Sequence, residues 1–235
     1  MKFLESHYLY FYLLLFTIAY PIAQSFERRI QLYKKFKFIG FSIISILLVF
    51  IPWDIYFTEK GVWWFNTNYI TGLNIYNLPI EEVLFFVCVP FACIFIYEVL
   101  NYFIKSDLLL KIARPFLMTT SVILVFSSIL FNHQLYTFVC FLITGISIFI
   151  VTAINPKWLS RFLLAYLVSL IPLLLVNGIL TGSLIESPVV NYNPNEIIGL
   201  RILTIPIEDF IYNLLLFLIL IGVYEKTSSF YLLKS

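Results

Sequence analysis

Charge is scarce in this chain of 235 residues, and histidine and cysteine are scarcer still. Only 12% of the residues are charged, against 61% hydrophobic, and the mean hydropathy is +0.96. A soluble domain carries roughly 25% charged residues, so the composition excludes one and implies an integral membrane protein. The near balance of 15 basic and 13 acidic residues supplies no basic field for nucleic acid. His7 and His133 are the only histidines, and Cys88, Cys93 and Cys140 form no C-x-x-C pair. That set offers no metal site, and the cysteines read as packing residues. Dinucleotide, P-loop and H-E-x-x-H patterns are missing too. No metal, nucleotide, flavin or nicotinamide cofactor is expected.

What the chain does have is long apolar runs. They cover 8–26, 38–57, 79–104, 112–131, 134–153, 158–180 and 206–224, each suited to a bilayer-spanning helix. The expected fold is therefore all-α and polytopic, with seven transmembrane helices. The first run lacks an A-x-A-type cleavage site and precedes a basic loop, so it reads as a retained span, not a secretory signal. With the N-terminus outside, every basic residue except Lys2, Lys60 and Arg201 falls in a cytoplasmic loop or tail. The positive-inside rule then sets N-out, C-in in the cytoplasmic (inner) membrane.

A shift of 127 residues uncovers a repeat. "GVWWFNTNYITGLNIYNLPIEEVLFF" (61–86) aligns without a gap to "PVVNYNPNEIIGLRILTIPIEDFIYN" (188–213), with ten of 26 positions identical. The matches include Asn66/Asn193, Asn68/Asn195, Gly72/Gly199, Pro79/Pro206 and Glu81/Glu208, while Glu82 meets Asp209. Tyr97-Glu98 matches Tyr224-Glu225 at the same offset. Two parallel three-helix repeats are expected, residues 1–110 and 134–235, joined by a linker helix within 111–133. The intervening crossing gives both copies the same orientation.

The acid pairs Glu81-Glu82 and Glu208-Asp209 open apolar helices, which is costly near lipid. Pro79 and Pro206 suit the first helical position. Glu81 and Glu208 then fall near the third, where a carboxylate caps free amides and faces the helix dipole. Adjacent helical residues point about 100° apart, so capping leaves Glu82 and Asp209 unexplained. Trp53, Trp63, Trp64, Phe65, Phe85 and Phe86 lie near the first pair in sequence, and Tyr192, Phe210 and Tyr212 near the second. Interfacial aromatic belts account for part of this clustering. Rings around acids also suit carbocation chemistry, in which a neutral carboxylic acid donates a proton and ring faces stabilise the cation. Glu98 and Glu225 oppose the dipole at helix ends and read as salt-bridge partners of Lys105 and Lys226. Asp54 is a secondary site candidate whose repeat partner is Thr181, and Arg201 is a candidate partner for an acid of the second half.

"PWDIYFTEKGVWWFN", "LPIEEVLFF", "PVVNYN" and "GLRILTIPIEDFIYN" resemble the motifs of the membrane-integral lycopene cyclase family across almost the whole chain. This is the non-Rossmann type of some bacteria and archaea, which fungi fuse to phytoene synthase. In many actinobacteria the halves are separate subunits, and this sequence is similar to the joined form. One departure is Val190-Asn191 where the first half has Trp63-Trp64. The resemblance implies a lycopene β-cyclase that closes rings on lycopene by way of γ-carotene to β-carotene without redox change. It implies Glu81, Glu82, Glu208 and Asp209 as catalytic acids. Trp63, Trp64, Phe65, Phe85, Phe86, Asn66, Asn193, Tyr192, Tyr212, Arg201 and Asp54 are the expected substrate contacts. Implied partners are lycopene or a related linear carotenoid, the lipid bilayer, and, as candidates, carotenoid-pathway enzymes or a second copy of the chain. The ring type stays open between β, ε and that of a longer carotenoid.

Three rivals share some of these features. A retinal protein needs a Schiff-base lysine in its last helix, and 206–224 contains none. A small transporter also carries repeats and intramembrane acids, but places them near mid-membrane. A non-catalytic assembly subunit differs only in activity.

Overall fold

In the computed structural model, which describes residues 5–232, seven α-helices form where the apolar runs lie. They are α1 (Leu9–Gln24), α2 (Phe36–Glu59), α3 (Ile80–Phe103), α4 (Ala113–Leu130), α5 (Leu135–Ile154), α6 (Leu159–Leu180) and α7 (Ile207–Leu232). Lys2 and Lys234, two of the residues used for the orientation, lie outside the described residues. Helices α2 to α7 are long and apolar enough to cross a membrane, so the protein is multi-pass. The 16 residues of α1 rise only about 24 Å, short of a ~30 Å hydrocarbon core.

Packing makes α7 the central helix. Leu214 to Leu218 are all buried, against α2, α5, α3 and α6. A helix that is apolar on every side suits that position. Helix α4 sits at the edge, packed mainly on α5, with Val122, Phe126 and Ile129 exposed. Gly145 allows the close approach there, since a Cβ would lie 2.8 Å from Val125 Cγ2.

Six short strands fill the α2–α3 and α6–α7 connections. The first holds β1 (Trp63–Phe65), β2 (Asn74–Ile75) and β3 (Leu78–Pro79); the second holds β4 (Val190–Tyr192), β5 (Arg201–Ile202) and β6 (Ile205–Pro206). β2 pairs with β3 and β5 with β6, each a small hairpin running into its helix, whereas β1 pairs antiparallel with β4 and ties the two connections together. Gly72 and Gly199 sit at φ +80° and +84° with open space around a Cβ position, so the backbone angle, not crowding, favours glycine there. Tyr76 and Leu203, also 127 residues apart, hold the hairpin turns at positive φ.

The helix start differs from expectation in one respect. Pro79 is the N-cap of α3, in an extended conformation with ψ 147°, one position before the first helical residue. As the last residue of β3 it still loses nothing by lacking an N–H. The shift moves Glu81 away from capping duty and leaves it free to reach outside its own helix.

Candidate active site

The β1–β4 ribbon covers one end of the bundle, and its register decides which rings face inward. Trp63 pairs with Tyr192, Trp64 with Asn191 and Phe65 with Val190. Side chains alternate along a strand, so the outer two pairs face the cavity beneath and the middle pair faces away. Trp63, Phe65, Val190 and Tyr192 accordingly line the cavity. Trp64 is 49% exposed on the opposite face, which removes it from the expected substrate contacts.

Three carboxyls reach this cavity: Asp54 from the last turns of α2, Glu82 from the start of α3 and Asp209 from the start of α7. All three are buried. Each meets at least one phenol. Tyr10 of α1 donates to Glu82 Oε2 at 2.6 Å, and Tyr212 of α7 donates to Asp54 Oδ1 at 2.8 Å. Asp209 accepts twice, from Tyr136 of α5 at Oδ1 and from Tyr192 at Oδ2, both at 2.8 Å. Enclosure, then the Asp209 carboxylate beside it, holds the Tyr192 phenol well above its ordinary pKa, so this hydroxyl acts as a donor. Asp54 and Glu82 share the lining of this one cavity with Asp209.

Aromatic faces complete the enclosure. The Trp63 and Tyr136 rings lie 5.1 Å apart and nearly perpendicular, and Tyr136 stacks with Tyr192 at 6.1 Å. Tyr212 is held edge-on by Phe50 at 5.0 Å and Trp53 at 5.5 Å. Among the described residues no lysine, arginine or histidine lines the cavity. Among the described residues no cluster of three or more His, Cys, Asp or Glu is arranged to hold a metal ion. The arrangement can therefore present several carboxyls to one space and surround a cation with π-faces and carboxyl groups.

The other expected residues have different places. Glu81 Oε1 accepts from the Thr71 N–H at 2.7 Å, and Glu208 Oε1 from the Ile198 N–H at 2.8 Å and the Thr137 hydroxyl at 2.6 Å. Both carboxyls anchor the preceding loop to the helix start, behind the cavity wall, instead of capping their own helices. Asn66 and Asn193 each accept from the amide two residues on, at 3.0 and 3.1 Å, and reach across with Nδ2 to Ser187 and Gly61. They build the loops and do not line the cavity. Phe86 is buried against Phe50, whereas Phe85 lines the cavity. Among the described residues Arg201 has no ion-pair partner; it donates to the Thr204 carbonyl and lies over the Tyr192 ring at 5.8 Å. Tyr10 and Tyr136 went unnoticed in sequence, because they sit 72 and 73 residues from the acids they bind.

The opposite ends of α3 and α7 also carry acids, without the expected partners. Tyr224 donates to Glu98 Oε1 at 2.6 Å and Tyr97 donates to Glu225 Oε1, a crossed arrangement. The ion pair at Glu98 comes from Lys35, not Lys105, whose ammonium sits over the Tyr102 ring.

A family model described as Lycopene cyclase matches residues 7–100 and 133–227. Over 88 residues the chain is 33% identical to a bifunctional lycopene cyclase/phytoene synthase of Podospora anserina, and over 88 residues 32% identical to one of Neurospora crassa. Each match takes in 37% of this chain, but only 14% and 13% of the relative. No solved structure matches. With the family match extending over most of its length, this multi-pass membrane protein belongs to the lycopene cyclase family.

Proposed function

We propose that this protein closes β-rings on the ψ ends of lycopene at one shared site, with Asp54, Glu82 and Asp209 as its acid–base groups. The observation that carries this reading is the meeting of acids from both halves in a single cavity walled by rings. Protonated Glu82 delivers its proton to C2 of the ψ end. The cation at C1 is attacked by the C5–C6 double bond, which closes the ring and moves the charge to C5. Loss of the proton from C6 leaves the ring double bond, and atoms and electrons balance with no oxidant. Asp209, already accepting two phenolic hydrogen bonds, is the group that faces the cation and takes the second proton. Trp63, Tyr136 and Tyr192 supply cation-stabilising faces. The cavity's free volume is about 60 Å³, so an isoprenoid end enters as the half-buried Phe65, Phe85 and Val190 yield.

The architecture we infer is seven spans in two parallel three-helix repeats, 1–110 and 134–235, around the linker α4. Support comes from the like contacts of Glu81 and Glu208, from the like turns at Gly72 and Gly199, and from a family match that leaves out 101–132. The positive-inside count puts the acid end outside the cytoplasmic membrane. Catalysis needs no redox cofactor on this scheme, and carotenoid-pathway enzymes or a second copy are candidate neighbours.

Expression in a lycopene-producing bacterial host tests the function. The expected result is conversion of lycopene to cyclised pigment, with one solvent deuterium per ring when the membranes are assayed in heavy water. Unchanged lycopene, with the protein inserted, would sink the reading.

A further inference from the structure

A second cavity runs on from the acid site and is apolar where the first is acidic. On α3, Phe85, Val89, Ala92 and Ile96 fall on one stripe, at the spacing that puts residues on a single helix face. The opposing wall is the stripe of α6 that includes Pro172 and Val176. Phe85, Leu173, Asn177 and Asn213 belong to both cavities, so the two are continuous. From Phe85 to Ile96 the cleft extends about 17 Å along α3, roughly half of a ~30 Å hydrocarbon core. Its walls are half-buried instead of sealed: Val89, Ala92, Ile96, Pro172 and Thr17 of α1 all keep partial exposure.

Part of the equivalent wall in the other half is more tightly packed. At the 127-residue offset Val89 corresponds to Leu216, Asn177 to Phe50 and Leu173 to Ile46. Those three are fully enclosed between α2 and α7, at 1%, 0% and 0% exposure. The acid site therefore has a long apolar approach on the α3–α6 side.

We propose that the α3–α6 cleft is the lateral entrance and binding groove for the polyene body of the linear substrate, so that one end reaches the acids while the rest lies along α3 toward mid-bilayer. This rests on the cyclase reading of the acid site and adds how the substrate is held. A single groove serves both ends in turn, and after the first closure the molecule leaves, reverses and re-enters.

Ala92 has the smallest side chain in the lining and is the place to obstruct the groove without touching the acids. Lycopene and a shortened polyene bearing one ψ end, an apo-lycopenal, are assayed side by side in membranes holding wild-type protein, Ala92→Phe or the milder Ala92→Leu. Insertion and detergent-extracted size profile are checked in each. The ratio of lycopene to short-polyene turnover is expected to fall about tenfold or more in Ala92→Phe, as overpacking a fitted groove would require, and to fall by less in Ala92→Leu. An unchanged ratio in both variants overturns the groove, leaving a cleft that holds only lipid chains. Should Ala92→Phe fail to insert, the ratio in Ala92→Leu decides alone. A wild-type protein that cyclises neither substrate overturns the cyclase reading itself, a result separable from the groove's failure.

Discussion

Tyrosine meets carboxylate at both ends of the α3–α7 pair, and the two meetings differ in what surrounds them. At the acid end four phenols reach three buried carboxyls around a cavity, and among the described residues no basic side chain lines it. At the far end Tyr97 and Tyr224 cross to Glu225 and Glu98 in packed structure, their rings edge-on at 6.3 Å, with Lys35 on Glu98. The same bond thus works as a clasp where a cation compensates the charge. It works as poised chemistry where carboxyls face one another across space. A buried acid beside a phenol is not by itself a sign of catalysis; the cavity and the uncompensated neighbouring acids make the difference.

The comparison breaks most sharply at the carboxyls themselves. Glu82→Gln and Asp209→Asn are each expected to remove essentially all ring closure, a loss of about 10²–10⁴-fold as for other general acid–base groups, measured by pigment chromatography. Sustained monocyclic product from either variant would show two independent sites in place of one shared site. Glu81→Gln sharpens the contrast, because its amide oxygen can still accept from Thr71. The expected loss is at most about tenfold, the size of one weakened hydrogen bond to a charged group. A collapse as deep as that of Glu82→Gln would place Glu81 in the chemistry.

Next come the phenols. Tyr136→Phe leaves Asp209 with one donor and Tyr10→Phe leaves Glu82 without its phenol. A hydrogen bond to a charged group contributes about 1.5–3 kcal/mol, so turnover is expected to fall by about ten- to a hundredfold. Tyr97→Phe and Tyr224→Phe at the clasp should leave turnover within about twofold. Their cost should appear as lost thermal stability, about 1–3 kcal/mol for a carboxylate short of one partner. Equal effects on turnover at the two ends would erase the distinction between clasp and site.

Much of this was legible in the chain, and the gaps have physical causes. Apolar runs place helix starts and ends well, as 112–131 against Ala113–Leu130 illustrates, because burial of a whole turn in lipid decides them. Glu82, Asp209, Trp63, Tyr192 and Tyr212 were readable as unusual residues, and the structure brings them to one cavity. Trp64 was misread because its orientation depends on a strand register with a partner 127 residues away. Asn66 and Asn193 were misread because a loop asparagine bonds its own turn more often than a ligand. Tyr10 and Tyr136 carried no local signal: tyrosines near a span's end are ordinary interface residues, and only packing of α1 on α3 and α5 on α7 brings them to the acids.

Orientation offers a test that needs no turnover. Tyr76 and Leu184, 75% and 78% exposed in the two connections at the acid end, are expected to label from outside intact cells once replaced by cysteine in a background lacking Cys88, Cys93 and Cys140. A cysteine at Lys157, in the α5–α6 connection, should label only after lysis. The reverse pattern would turn the clasp outward and bring the acid site to the cytoplasm.

The smallest expected effect belongs to Lys35. Its ammonium bonds Glu98 with side-chain exposures of 41% and 13%, so solvent screens the pair and the contribution is about 1 kcal/mol or less. Glu98 keeps the Tyr224 hydroxyl in any case. Lys35→Gln preserves a hydrogen-bond donor while removing the charge, and is expected to lower the melting temperature by about 2–4 °C at most, the shift that 1 kcal/mol produces in a chain of this size. Ring closure should be unchanged, because Lys35 lies at the other end of α3 from Glu82. Thermal unfolding in detergent and pigment chromatography read the two quantities separately. A loss of turnover with the melting temperature intact would couple the clasp to the acid site through α3. The two ends would then be one device, and the contrast between them would no longer hold.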